Sequence, residues 1–180
     1  LGLYALVMGW SALGLRTHTR TLPIPGPVPE ERWLWLALPA LGTVLLASLT
    51  EVLCQDIAPI PFLWVVPLAL YLLSWILAYA GRWGYIRPLA LSLLIAANLA
   101  VALLQIWTEA PLPLALTIHL LALFAGCWCC HGEVARRRPA PAQIGTFHLA
   151  TAIGGVLGTA AMVFAAPLLF AAHLEHRLGL

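Results

Sequence analysis

Long apolar runs, separated by short segments that hold most of the charged residues, are the feature that most limits what this chain can fold into. Of its 180 residues, 62% are hydrophobic and 9% are charged, whereas a soluble domain carries about 25% charged residues. The surplus apolar surface must face lipid, and runs of this length fit transmembrane helices. The sequence therefore predicts an all-α integral membrane protein, a polytopic bundle of about six transmembrane helices.

Charges and prolines mark the boundaries between the predicted spans. The six runs cover residues 1–15, 33–53, 61–80, 88–107, 114–130 and 144–170. The first run is shorter than the roughly 20 residues that a full span needs, and the sequence begins with Leu, so we expect a longer polypeptide. Residues 16–32 hold four prolines and are predicted to form a cytoplasmic linker. The domain organisation is thus a partial or first helix (1–15), the linker (16–32), a five-helix transmembrane module (33–170) and an outer tail (171–180).

The distribution of arginine predicts the orientation. All nine basic residues are arginine, and eight of them lie in the first, third and fifth connections between spans. The second and fourth connections carry only acidic charges. Because basic loops are retained in the cytoplasm, both ends of the sequence are predicted to lie on the outer side of the membrane. The membrane itself is predicted to be a bacterial inner membrane. The net charge of +2 is too small and dispersed to indicate a nucleic-acid partner.

A polar cluster follows the second predicted span. Glu51, Gln55 and Asp56 lie at its outer end, and carboxylates beside a membrane are costly unless they face water or a partner. They form either a solvated helix end or a polar transport site that faces the bundle interior. In the next span, Pro67 removes a backbone hydrogen bond and is expected to kink the helix at about its first third.

Cysteines and histidines in the later spans are candidates for metal or cofactor binding. Cys127, Cys130 and His131 share one helix face, and two thiolates with an imidazole could bind a soft metal. His119 and His148 lie inside spans, where a histidine can ligate haem or a chlorin pigment or can bond to a neighbouring helix. No cofactor is predicted, but haem, a chlorin pigment or a soft metal stays open as an alternative.

The last span carries a ridge of small residues. Ala150, Gly154 and Gly158 recur at intervals of four, and such spacing lets another helix backbone approach closely in lipid. This ridge is predicted to be a helix-packing face.

Two segments resemble a known family. Residues 55–74 (QDIAPIPFLWVVPLALYLLS) and 130–139 (CHGEVARRRP), with the later GGVLG and APLLF, look like the membrane portion of bacterial spermidine-synthase-like proteins, often described as fused major-facilitator/spermidine synthase proteins. The resemblance implies a helical membrane module similar to part of a transporter fold. Nothing in the sequence resembles the catalytic domain of the fused forms, so the resemblance implies no enzyme activity.

Three functions remain open. The leading hypothesis is a noncatalytic membrane module, either an accessory or scaffold subunit or the membrane half of a larger spermidine-synthase-like protein. Its partners would be the lipid bilayer and either other membrane subunits or a missing part of the same chain. One alternative is a transporter module for a small solute such as a polyamine. The other is a cofactor-binding subunit of an electron-transfer or photosynthetic membrane complex.

Overall fold

The computed structural model describes residues 30–56, 64–81, 83–107 and 110–178, and this part of the chain is helical with short connections. A 3-10 turn, Glu30–Trp33, leads into the first helix, and a second, Pro141–Gln143, leads into the last. We number the α-helices in chain order: α1 is Leu34–Asp56, α2 is Val65–Tyr79, α3 is Arg87–Ile106, α4 is Leu112–Arg136 and α5 is Ile144–Leu178.

Four helical segments are long and apolar enough to cross a membrane. They are Glu31–Leu53, Arg87–Ile106, Leu112–Arg136 and Pro141–Phe164. Helix α2 is apolar but has 15 residues, fewer than the roughly 20 that a full span needs. The predicted first span, residues 1–15, and most of the linker lie outside the described residues. The described residues are thus all-helical, with four helices that could span a membrane, whereas the count of about six spans is not confirmed.

Prolines begin helices in this fold more than they bend them. Pro88 lies in the first turn of α3, and Pro111 is the N-cap of α4, where no intrahelical N–H donor is lost. Pro67 is the third residue of α2, so it also occupies a first turn. The predicted kink at Pro67 is therefore wrong, because the helix begins later than the apolar run and leaves no preceding turn to distort.

Helix α4 lies at the centre of the bundle. It packs against α1, α2 and α3, whereas α5 packs along α1, and Phe147 near its start also joins Val134 of α4 in a buried cluster. At the arginine-bearing end, the buried Trp35 meets Phe147 edge-on with 5.4 Å between ring centroids. The indole nitrogen of Trp35 donates to the carbonyl oxygen of Arg137 over 3.1 Å. This end of the bundle therefore joins α1, α4 and α5.

Candidate functional site

The carboxylate of Glu133 forms ion pairs with three arginines and a hydrogen bond with one tyrosine at the arginine-bearing end of the bundle. Arg87 Nε lies 3.0 Å from Oε1, and the Tyr85 hydroxyl donates to the same oxygen over 3.0 Å. Arg137 bonds to the other carboxylate oxygen, and Arg136 lies 3.8 Å from Oε1. Since the Glu133 side chain is only 14% exposed, these charge-assisted contacts are shielded from water. One carboxylate thus joins the end of α4 to the start of α3.

Two groups of this Glu133 cluster have shifted pKa values. The hydrogen bond to Glu133 raises the pKa of Arg137, whose Nε also pairs with Glu31 Oε2 at 3.1 Å. Burial raises the pKa of Tyr85 well above its usual range, and the neighbouring Cys129 and Glu133 add to the rise. Tyr85 is therefore a neutral hydrogen-bond donor, and Arg137 a permanent cation that links α4 to the start of α1.

Gly132 makes room for the Tyr85 ring. A Cβ atom at Gly132 would lie 2.1 Å from a Tyr85 ring carbon, so any side chain there would displace the ring. On the same helix, the Trp128 indole nitrogen donates to the Gly84 carbonyl oxygen over 3.0 Å. The segment around residues 130–139 thus holds the turn between α2 and α3 in place.

His131 is fully buried between α4 and α2. Its Nδ1 lies 2.8 Å from the Ser74 hydroxyl, and that hydroxyl donates to the Tyr71 carbonyl oxygen over 2.6 Å. With the hydroxyl proton on the Tyr71 carbonyl oxygen, the Ser74 oxygen can accept from an Nδ1–H of the imidazole. The imidazole also stacks on Trp75, with 4.0 Å between ring centroids.

The Nε2 atom of His131 has no hydrogen-bond partner and faces α1. A Cβ atom on Gly42 would lie 2.9 Å from Nε2, so the α1 backbone already fills the space in front of it. The Cys127 thiol donates to the Gly42 carbonyl oxygen over 3.7 Å. Cys127, Cys130 and His131 share a buried face of α4, but the histidine is engaged by Ser74 and Trp75 and does not converge with the two thiols. No three His, Cys, Asp or Glu side chains of the described ranges come together as metal ligands.

The small-residue ridge of α5 packs within the chain. Cβ atoms at Gly154 and Gly158 would each lie 2.3 Å from a carbonyl oxygen of α1, those of Leu36 and Ala40 respectively. Ala150, one turn before Gly154, packs on the buried cluster at the arginine-bearing end. The ridge therefore brings α1 and α5 into backbone contact.

A second face of α5 lines an open groove between α1, α2 and α5. Its volume is about 730 Å³, and Thr151, Gly155 and Thr159 form a small-residue row along its α5 wall. The opposite walls include Thr43, Tyr71 and Trp75. We call this the α2–α5 groove.

The threonines in the α2–α5 groove bond to nearby backbone. Thr43 donates to the carbonyl oxygens of Ala40 over 2.9 Å and Gly155 over 3.2 Å, and Thr159 donates to Gly155 over 3.1 Å. Because the hydroxyls are satisfied by backbone carbonyls, the groove presents a surface that tolerates lipid or another helix.

The predicted outer cluster lies at the end of α1. Glu51 is exposed, and Gln55 and Asp56 form part of the last turn of the helix. The side chains of Gln55 and Asp56 lie outside what the structure describes, so the transport-site hypothesis for the three residues stays a prediction.

His119 and His148 lie at opposite ends of the bundle, because His119 is near the start of α4, far from the arginine-bearing end, and His148 is near the start of α5, beside that end. His119 Nδ1 is 2.8 Å from the Ala115 carbonyl oxygen, and its ring lines a cavity of about 270 Å³ between α1, α3 and α4. His148 lies on an exposed face of α5, with its ring against Phe147. The two rings therefore do not form a joint axial-ligand pair.

Several residues that organise this region were not singled out by the sequence. They are Tyr85, Ser74, Trp75 and Gly42, and each meets α4 through a contact between distant parts of the chain. Tyr85 lies near a predicted span end, whereas Gly42, Ser74 and Trp75 lie within predicted spans, where small and aromatic residues give no distinct signal. Comparison of the chain with protein families, curated proteins and solved structures gives no match.

Proposed function

We propose that the chain is a noncatalytic accessory module of a membrane complex, and that it receives a transmembrane helix of another subunit in the α2–α5 groove. The observation that carries the proposal is that α5 packs closely along α1, whereas among the described residues its contact with α4 lies in the buried cluster near its start. This packing leaves the row formed by Thr151, Gly155 and Thr159 uncovered beside Tyr71 and Trp75.

The size of the groove suits a helix. One turn of a helix about 10 Å wide and 5.4 Å long occupies roughly 420 Å³, so a groove of about 730 Å³ accepts roughly two turns. Small residues four apart allow close approach of a second helix in lipid, where association depends on packing and not on the exclusion of water. Phe164 is 71% exposed at one end of the groove and offers an aromatic contact for the incoming helix.

Placement in a bacterial inner membrane belongs to the same proposal. Four long apolar helices are compatible with a membrane location, and the arginine distribution favours the Glu133 end as the cytoplasmic one. The resemblance to the membrane portion of spermidine-synthase-like proteins supports a role as one part of a larger assembly.

Site-specific photo-crosslinking tests the helix-docking proposal. A photoreactive side chain at Thr159, on the groove, is expected to form an adduct whose mapped peptide is an apolar helix of a different protein. Gly155→Leu should abolish that adduct, because the new side chain enters the groove: a Cβ at Gly155 has only ordinary contact at 3.7 Å with Thr43. Gly145→Leu is the matched control, since a Cβ there meets nothing within 4 Å.

Two results of this experiment contradict the proposal. Adducts with lipid alone show that the groove is an ordinary lipid-facing surface. Adducts between two copies of the chain show that it is a self-association surface.

Small-solute transport is the second candidate, favoured by the cavity between α1, α3 and α4. Ser48, Asn98 and His119 place polar groups on its wall, and Ser48 lies three residues before Glu51 on α1. If this cavity opens to a transport path, Asp56→Asn and His119→Leu should each abolish flux in loaded vesicles and leave membrane insertion intact. Unchanged flux in both variants excludes this function.

A further inference from the structure

A second cleft, at the arginine-bearing end, differs from the α2–α5 groove in its polar lining. It has a volume of about 370 Å³ and lies between the end of α2, the following turn and the last turns of α4. Its polar walls are Tyr79, Tyr85, Arg136 and Arg138, and Gly132 leaves its floor without a side chain. We call it the basic cleft.

The basic cleft carries positive charge that the described residues neutralise only in part. The guanidinium carbon of Arg138 lies 5.0 Å from the centroid of the Tyr79 ring, and within the described part of the chain no carboxylate pairs with Arg138. Arg136 is 53% exposed and lies 3.8 Å from Glu133. Glu133 is already engaged more closely by Arg87 and Arg137. Two guanidinium groups therefore line a cleft without a full counter-charge.

Aromatic residues place the basic cleft at the level of lipid headgroups. Trp83, in the turn beside the cleft, is 80% exposed, and Tyr79 and Tyr85 lie on the cleft wall. Tryptophan and tyrosine concentrate at the membrane–water interface because they combine an apolar ring with a polar group. The retention of arginine-rich loops in the cytoplasm puts this interface in the leaflet that is rich in anionic lipid.

We propose that the basic cleft binds the phosphate of an anionic phospholipid headgroup, with Arg136 and Arg138 as its ligands. A guanidinium group presents paired N–H donors that match two phosphate oxygens. The Tyr79 ring holds Arg138 by a cation–π contact, which limits the side-chain entropy lost on binding. Ala135 has a small side chain on the cleft wall beside the arginines, which leaves room for the glycerol portion of the lipid. The inference depends on membrane placement and is independent of helix docking in the groove.

Lipid retention measured by native mass spectrometry tests the proposal. The full chain in mild detergent is titrated with phosphatidylglycerol and, separately, with phosphatidylcholine, and the wild type should retain phosphatidylglycerol preferentially. A basic residue at an anionic surface contributes about fivefold to binding, so R136Q combined with R138Q should weaken retention about 30-fold. R138K, which keeps the charge but loses the paired donors, should give an intermediate loss. R177Q is the matched control, because Arg177 lies near the far end of α5.

Defined outcomes overturn the assignment. Equal retention of the two lipids by the wild type, or unchanged phosphatidylglycerol retention in the double variant, refutes it. Displacement of the lipid by millimolar inorganic phosphate, with phosphate bound in its place, identifies a soluble anion as the ligand and also refutes the lipid assignment. If the double variant fails to fold, R138Q alone with the comparison of the two lipids decides the question.

Discussion

Replacing Glu133 with Gln should destabilise the bundle far more than any other single charge removal at this end. Gln keeps the shape of Glu and can still accept a hydrogen bond from Tyr85, so the change isolates the negative charge. Three arginines then share a neutral amide at a position that is 14% exposed. Removing one partner of a fully buried pair costs about 3–5 kcal/mol, whereas an exposed pair contributes about 0–1 kcal/mol.

The Glu133 cluster lies between these limits, because Arg87 and Arg136 are about half exposed and Arg137 is 30% exposed. We therefore expect a loss of about 2–4 kcal/mol in the free energy of unfolding, measured by tryptophan fluorescence during titration of a mild detergent with dodecyl sulfate. Glu31→Gln is the matched control: Glu31 is 64% exposed and pairs with Arg137, so its loss should cost under about 1 kcal/mol. If the two variants lose the same stability, Glu133 is not the electrostatic centre of this end.

Two further predictions concern helix approach and the Tyr85 phenol. Gly154→Ala places a Cβ against the Leu36 carbonyl oxygen and should cost about 1–3 kcal/mol in the same unfolding assay, whereas Gly155→Ala should be nearly neutral; equal effects would show that α1 and α5 do not approach as described. Because burial raises the pKa of Tyr85, unfolding releases its proton once the pH exceeds the unfolded value of about 10. The wild type should therefore lose more stability than Tyr85→Phe between pH 9 and pH 11, and parallel losses would contradict the assignment of a buried phenol.

Hydropathy predicted the helices well and their ends less well. The predicted span over residues 114–130 corresponds to α4, Leu112–Arg136, which continues for six residues beyond the expected end. The predicted span ended before His131 and Glu133, because polar side chains are costly in lipid. In the fold, Ser74 bonds to Nδ1 of His131, and arginines and Tyr85 bind the Glu133 carboxylate, so the helix continues through both residues.

The contacts of the candidate sites depended on helix order, which local patterns do not encode. The spacing of Gly154 and Gly158 predicted a packing face on α5 without indicating that α1 is the neighbour. A parallel row with Gly155 has similar spacing yet remains uncovered. Likewise, Tyr85 and Glu133 are 48 residues apart, and only the folded bundle shows that the Tyr85 ring packs on Gly132, next to Glu133.

The pairing of the first described helix with the last has a consequence for how the protein is made. Thr43 and Gly155, which are joined by a hydrogen bond, are 112 residues apart in the chain. At a synthesis rate of about 5–20 residues per second, Thr43 of α1 is synthesised roughly 6–22 seconds before Gly155 of α5. During that interval the α1 surface around Leu36 and Ala40 is not yet covered by α5. Until α5 inserts, α1 is held by α2 and α4 alone among the described helices, and a chain truncated before Ile144 leaves this surface of α1 open to other helices.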